Sequence, residues 1–480
     1  MTGAQGNAFM QSRFSLFNVR RLAACAAAIC LVACGRGGHA QEPEPKEVEV
    51  IDRLGERVRI PNPSREDRLE ATAPGYVAPP DGRSECLGRL MFDVPRSLNF
   101  EWAIASTSSK QGTYEQLYQS FDNGTGGGRA EIETPDLRTV FAVYGPVTPA
   151  LREEFLNDRK RMNEATLHGR LEALKLQKED EDLYKRRPEL LGPNTKENMA
   201  ENRRQIEQDI ADLKADRYQK AIDLGRPDSA AFRSDNHKSA STYMRGAIVL
   251  GKHLIAFESM LRGLQNNEDP TEAKWAVAEN ALRKLIGQLQ ARDLYEIPNE
   301  RGFCLPYAFL RDDGTYGNEI SSSFRLTDSL AVLYKLNFSA VPAGKGSATT
   351  LINATGRSMA GLIGASPEGM KVTQRLGPRP VKIGALTSEQ GGVVVEAQRP
   401  GKPPREGYHA YAGNAGWSGS QILPTIEVVM QSASREAYPK LNADAPPYAE
   451  SRPRFDALLK SIRLRPTTPP MPELERVVKQ

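Results

Sequence analysis

Residues 292–312 read RDLYEIPNERGFCLPYAFLRD, and the place where this stretch changes pattern decides how the chain divides. On its N-terminal side, TEAKWAVAENALRKLIGQLQARD (271–293) brings Trp275, Ala278, Leu282, Leu285 and Leu289 onto one face of an amphipathic helix. On its C-terminal side, RGFCLPYAFL (301–310) has the aromatic and apolar content of a strand. A helix that closes one sheet, followed by a strand that opens another, predicts a boundary between Ile297 and Pro298.

Working outward, both sides carry short strands separated by turns. Leu87, Leu90, Phe92 and Val94 in CLGRLMFDVP suit a strand ended by Pro95, with NFEWAIAS and TVFAVYGPV as its sheet partners across the Gly-rich turn DNGTGGGR. MRGAIVLGKHLIAFES reads as a hairpin turning at Gly251–Lys252. Beyond the boundary, SSFRLT, LAVLYKLNFSA, GVVVEAQRP and TIEVVMQSAS supply further strands, and FDALLKSIRL a closing helix. Both halves begin with Cys-Leu on a strand and end on a Leu-rich helix, a hint of a pseudo-repeat.

Between these strands, residues 149–225 change character to LREEFLNDRKRMNEATLHGRLEALKLQKEDEDLYKRR and ENRRQIEQDIADLKADRYQKAIDL. Ile206, Ile210 and Leu213 form a narrow apolar stripe that Ala221 and Leu224 resume, and Leu190–Asn194 breaks the pattern. The reading is a helical hairpin inserted in the first domain, serving either as an arm that touches a partner or as a solvated insertion. The fold class expected is therefore α+β, with two domains, each a mostly antiparallel sheet covered by a helix. The N-terminal domain takes residues 84–297 and the C-terminal domain 298–466, with a tail at 467–480.

The N-terminus has a different logic. LAACAAAICLVAC (22–34) follows Arg13, Arg20 and Arg21, with no acidic residue in the first 33 positions. Its apolar run from Leu22 to Ala33 is well short of the roughly 20 residues a membrane-crossing helix needs, and matches a secretory signal over residues 1–33. Leu31-Val32-Ala33-Cys34 resembles the bacterial lipobox, which implies lipidation of Cys34 and loss of Cys25 and Cys30 with the signal. The rival reading is an ordinary signal cut near Gly38-His39-Ala40. Residues 34–83, rich in proline and charge, read as a tether, although VEVIDRLGERVRI alternates enough to pair as a strand on a neighbouring domain.

Removing three arginines from the 64 basic residues leaves 61 against 60 acidic, so nothing electrostatic favours nucleic acid. Cys86 and Cys304 remain in the folded part, either as a disulfide or as two buried thiols. The five histidines, His39, His168, His237, His253 and His409, never take a zinc-motif spacing, and no cofactor is indicated. Gly416-Trp417-Ser418-Gly419-Ser420 lacks the last glycine of a nucleophile elbow, and Asp312-Asp313 reads as a solvated turn cap. No catalytic residue and no metal ligand is assigned.

Three motifs together carry a resemblance. The opening CLGRLMFDVP, the junction at 292–312 and the ending DALLKSIRLRP, behind a lipoprotein-like leader, resemble the type VI secretion lipase immunity proteins of the fourth family over residues 84–466. The junction is the most specific: an arginine, then Glu-Ile-Pro, then Gly-Phe-Cys. Family members carry glycines where this chain has Tyr307 and Ala308, and the helical arm here is longer. The resemblance implies a non-enzymatic two-domain protein of the periplasm, held by lipid at a membrane, most simply the outer one. Its partner is then a cognate secreted phospholipase effector, with effector-binding residues not assigned. The alternative is an envelope lipoprotein with an unrecognised hydrolase or assembly role.

Overall fold

A computed structural model describes residues 47–51, 57–61, 76–104, 129–190, 192, 195–215, 219–234, 243–263, 270–339, 370–399, 401–414, 416, 424–435 and 441–466. The signal, Cys34, the DNGTGG turn and the 467–480 tail lie outside the described residues. Within the expected tether, β1 (Glu47–Ile51) pairs antiparallel with β2 (Arg57–Pro61). The alternating segment thus pairs with itself, not with a neighbouring domain.

CLGRLMFDVP is not one strand. β3 (Gly82–Leu87) and β4 (Leu90–Pro95) form a two-residue hairpin in register Leu87↔Leu90. Gly88 at φ +60° makes the turn, a conformation that costs glycine little and other residues more. The hairpin puts Leu87, Leu90, Phe92 and Val94 into the main core, as one strand would also have done, which is why the apolar pattern does not separate the two.

β5 (Phe100–Trp102), β6 (Arg129–Glu133) and β7 (Leu137–Tyr144) follow. α1 (Pro149–Leu156) is capped by the Thr148 hydroxyl accepting from Leu151 N, and buries Leu151 and Phe155. α2 (Asp158–Arg186) and α3 (Thr195–Lys214) run antiparallel to each other, joined by polar ties: Asn163 to the Leu213 carbonyl, Arg170 to Asp209, and Arg203 to Glu181. Of the expected stripe, Ile210 and Leu213 are buried near the helix base. The stripe does not run on to Ala221 and Leu224. Residues Gln219–Ile222 are β8, an edge strand pairing with β9 (Ser229–Ser234), and Ile222 and Leu224 enter the sheet's core. Tertiary burial overrides helical spacing there.

β10 (Tyr243–Leu250) and β11 (His253–Leu261) turn at Gly251–Lys252, Leu250 opposite His253. α4 (Glu272–Gly287), capped by Thr271, buries Trp275, Ala278, Leu282, Leu285 and Ile286 against the core. Leu289 falls just past the helix, in β12 (Leu289–Ala291). Arg226 crosses from outside to donate to the Ile286 and Leu289 carbonyls at 2.8 and 2.9 Å, satisfying acceptors that a helix end leaves open.

β13 (Gly302–Leu305) and β14 (Ala308–Arg311) form a second tight hairpin and, with β12, a three-stranded sheet. β15 (Gly317–Leu326), β16 (Ser329–Ser339), β17 (Met370–Arg375), β18 (Arg379–Ile383), β19 (Leu386–Arg399), β20 (Lys402–Asn414) and β21 (Thr425–Ser432) complete the large sheet. α5 (Tyr448–Ser461) and β22 (Arg463–Leu464) follow, and β22 adds to β4.

The result is mixed α and β with large antiparallel sheets and five helices among the described residues. Fourteen strands share one sheet, in the order β17-β19-β20-β21-β16-β15-β6-β7-β11-β10-β9-β8, with β18 on β19 and β5 on β15. β15 therefore pairs with β6 and β5 on one side and β16 on the other, so hydrogen bonding is continuous across the expected 297/298 boundary. Phe100, Trp102, Phe324 and Tyr334 pack together across that join, with Phe100 and Phe324 ring centres 4.7 Å apart and Phe324 stacked on Tyr334.

Candidate functional site

The three motifs of the sequence meet in space. Cys86, at the end of β3, and Cys304, in β13, are joined as a disulfide with Cα atoms 5.7 Å apart, and both are fully buried. Two residues after Cys86, Gly88 exchanges two backbone hydrogen bonds of 2.8 Å each with Cys304. The two Cys-Leu segments thus face one another.

Around them stand three buried arginines, one from each motif. Arg292 lies 2.6 Å from the Glu85 carboxylate, with both side chains no more than 1% exposed. The same guanidinium donates to the carbonyls of Cys86, Leu305, Ala308, Asp293 and Glu296. Glu85 also accepts from the backbone N–H groups of Cys86 and Tyr295. Arg89, at the β3–β4 turn, pairs with Asp312 and lies over the Phe303 ring.

Asp312 therefore does more than cap a solvated turn. It accepts from Gly314 N, Thr315 N and hydroxyl, and Tyr316 N, yet is 5% exposed and holds Arg89. Arg465, after β22, donates to the carbonyls of Gly302, Pro298 and Glu300, and approaches Cys304 Sγ at 3.6 Å. Burial, then the neighbouring charges of Arg89 and Arg292, lower its guanidinium to about 10. It still carries its charge near neutrality.

Gly302 shows why the junction needs glycine. At φ +145° an added Cβ would come 2.1 Å from the Leu310 carbonyl oxygen. Tyr307, in the β13–β14 turn, adopts φ +57°, the region where a glycine is at ease, and its ring stacks on His253 at 3.8 Å. The tip of one hairpin thus rests on the tip of another.

This node is closed to solvent, and its carboxylates already accept backbone or guanidinium donors. Arranged so, it locks three chain segments in register and has no place for a reacting molecule. Among the described residues, no group of three or more His, Cys, Asp or Glu could hold a metal. His168 lies on exposed α2, His253 on the hairpin tip and His409, half-buried, in β20, so these three do not come together; His39 and His237 lie outside the described residues. Cys34, the expected lipidation site, also lies outside, as do residues 417–420 of the elbow-like stretch.

Sequence reasoning singled out Cys86, Cys304 and Arg292, read Asp312 only as a solvated turn cap, and passed over Arg89, Arg465 and Glu85. The available signal was charge inside apolar runs, as in Leu87-Gly88-Arg89-Leu90 and Ile462-Arg463-Leu464-Arg465. The surface displayed by this scaffold includes exposed Leu171, Leu176 and Leu183 on α2, Val277 on α4 and Met370 on β17. A cleft of about 450 Å³ also opens beside α1, β8 and β9, between Phe155, Arg159, Asp223 and Arg226.

Residues 296–467 match the family model described as Tle cognate immunity protein 4 C-terminal domain. Among solved structures, the chain is similar to one from the crystal structure of the Tle4-Tli4 complex, at 15% identity and TM-score 0.45, covering 81% of this chain and 98% of that one. It is also similar to the apo immunity protein TplEi of the T6SS from Pseudomonas aeruginosa, at 15% identity and TM-score 0.42, covering 80% of this chain and 98% of that one. No curated protein matches. The resemblance carried by the junction and the ending is upheld where the family model lies, over residues 296–467.

Proposed function

We propose that the protein is an immunity protein that binds a type VI secretion phospholipase effector and blocks it stoichiometrically, without chemistry of its own. The observation that carries this reading is the match of residues 296–467 to the Tle cognate immunity protein 4 C-terminal domain. A lipase reaches lipid through an apolar entrance that opens, so a rigid protein covering that entrance, or holding its lid shut, stops turnover without touching the nucleophile. The buried node supports such rigidity, because three distant segments are tied by ion pairs and a disulfide. A stable contact of this kind buries about 1,600 Å² in total.

In this reading the 84–297 and 298–466 halves both contribute to the contact, and the α2–α3 pair stands beside it as an arm. The protein works in the periplasm, tethered by lipid on Cys34. Supporting the anchor is the lipobox-like end of an apolar run too short to span. Titrating the mature protein into its cognate lipase and following activity tests the function: inhibition complete at about one equivalent is expected. Absence of a complex, or inhibition that needs turnover by this protein, would overturn it. Cys34→Ser with cell fractionation tests the anchor, since unchanged membrane association would reject it.

A further inference from the structure

The chain stops being a free tether before β3 begins. Tyr76 lies inside the 34–83 stretch, with residues 77–81 still between it and Gly82, yet its hydroxyl donates to Asp93 Oδ2 at 2.5 Å. Asp93 belongs to β4, so the contact reaches past β3 to the middle strand of the β22-β4-β3 sheet. From the other end of the sequence, the Arg463 guanidinium of β22 lies over the Tyr76 ring, 4.4 Å from its centre.

The socket is built without the tyrosine. Asp93 Oδ1 accepts from Ser84 Oγ at 2.7 Å and from Arg463 Nη2 at 3.2 Å, while Asp93 N donates to Ser461 Oγ at 2.9 Å. Arg463 is steadied in turn, because Nη1 donates to the Ser461 carbonyl at 2.6 Å and Nη2 to Ser84 Oγ at 3.1 Å. The Asp93 and Arg463 side chains are 5% and 11% exposed, so packing holds both in place. A hydroxyl donating to an ionised carboxylate makes a stronger bond than one between neutral groups. Burial, then the Asp93 carboxylate, raises the Tyr76 phenol's pKa, so this donor keeps its proton across the neutral range.

Residues 77–81 are all exposed, Val77 by 84%, and form a short loop pinned at both ends. Tyr76 pins one end. At the other, Gly82 N donates to the Pro79 carbonyl at 2.8 Å and Arg96 N to the Asp81 carbonyl at 2.5 Å. The pin at Tyr76 draws on three strands, with Ser84 from β3, Asp93 from β4 and Arg463 from β22, and Arg463 stands 370 residues from Asp93 in the chain.

We propose that Tyr76 is a latch that fixes where the tether leaves the body, and that it closes only when β22 is seated beside β4. Its link to a membrane rests on the lipid-anchor reading of Cys34; the latch itself does not. When shut, a pull along the tether is borne by β4 and β22 and not by the first residue of β3. When open, residues 76–81 join the tether and lengthen it by up to about 20 Å, at about 3.3 Å per residue. The end of β3 then takes the pull directly.

The test is limited proteolysis of the mature chain carrying Cys34→Ser, which holds no lipid, so that failure of the anchor reading leaves it untouched. Elastase cuts after small side chains such as Val77 and Ala78, and a protease needs a longer loose stretch than the pinned loop 77–81 provides. Slow cutting of the parent chain is expected, with cutting at least about tenfold faster in Tyr76→Ala and Arg463→Met, and about threefold faster in Tyr76→Phe, which keeps the ring. The denaturant midpoint of Tyr76→Ala should match that of the parent, since the latch is local. If Arg463→Met does not fold, Arg463→Lys, which keeps the charge and loses the forked donors, takes its place. Equal cutting of the parent and Tyr76→Ala would overturn the latch, and an effect of Tyr76→Ala without one of the Arg463 variant would overturn its dependence on β22.

Discussion

The buried junction and the α2–α3 pair are made of the same chemistry, and they use it in opposite ways. In the helices, Lys185–Asp182 and Arg204–Glu201 pair with both partners more than 60% exposed, so solvent screens the charges. At the junction, Arg292–Glu85 and Arg89–Asp312 pair at 1% exposure or less, with backbone carbonyls accepting from the two guanidiniums and backbone amides donating to the two carboxylates. A charge-rich sequence segment is therefore not one structural category. What separates the two is whether apolar neighbours close over the charges, as Phe303 and Phe309 do around Arg89 and Arg465.

The comparison breaks most readily at its strongest point. Arg292→Ala leaves Glu85 buried and uncompensated, and should cost about 3–5 kcal/mol in denaturant unfolding. Pairing Arg292→Met with Glu85→Gln should recover a large part of that loss, and failure to recover would show that the ion pair itself, not the uncompensated charge, sets the stability. Next in size, Cys86→Ala with Cys304→Ala removes a cross-link spanning 218 residues and should lower stability by about 2–4 kcal/mol under the same measurement.

A smaller effect follows from the stacked hairpin tips. Burial lowers the His253 imidazole to about 4, against the opposing pull of the Asp293 carboxylate. The unfolded chain takes up this proton near pH 6.5 while the folded one stays neutral, so stability is lost as pH falls from about 6.5 to about 4 and levels off below. His253→Phe should flatten that part of a pH–stability curve. At the bottom of the scale, Arg203→Ala removes contacts to Glu181 and Glu207 on the exposed helices and should leave the unfolding midpoint unmoved. A clear shift there would mean the helices depend on their charges as the junction does.

Legibility in the sequence follows the same divide. The amphipathic face of α4 and the Gly251 turn could be read directly, because local spacing and a single glycine decide them. β20, with its run KPPREGYHAYAGN, could not: its prolines and glycines read as loop, and pairing with β19 and β21 makes it a strand. β8 was hidden by a helix-like spacing that only its partner β9 overrides. At the junction the motifs were visible, but their convergence was not, since Arg89 and Asp312 are 223 residues apart and no local pattern brings them together.

One pairing sets the order in which the molecule can be completed. β22, at Arg463–Leu464, is the third strand beside β4, whose own residues are Leu90–Pro95. Nearly the whole chain must emerge before the first core hairpin gains its last neighbour, and contacts of such long range form slowly. Until then the outer edge of β4 offers unpaired backbone groups to any passing strand. A product stopped short of Arg463 would therefore be defective at its beginning rather than at its end, and that exposed edge is where a cell's quality control would first meet it.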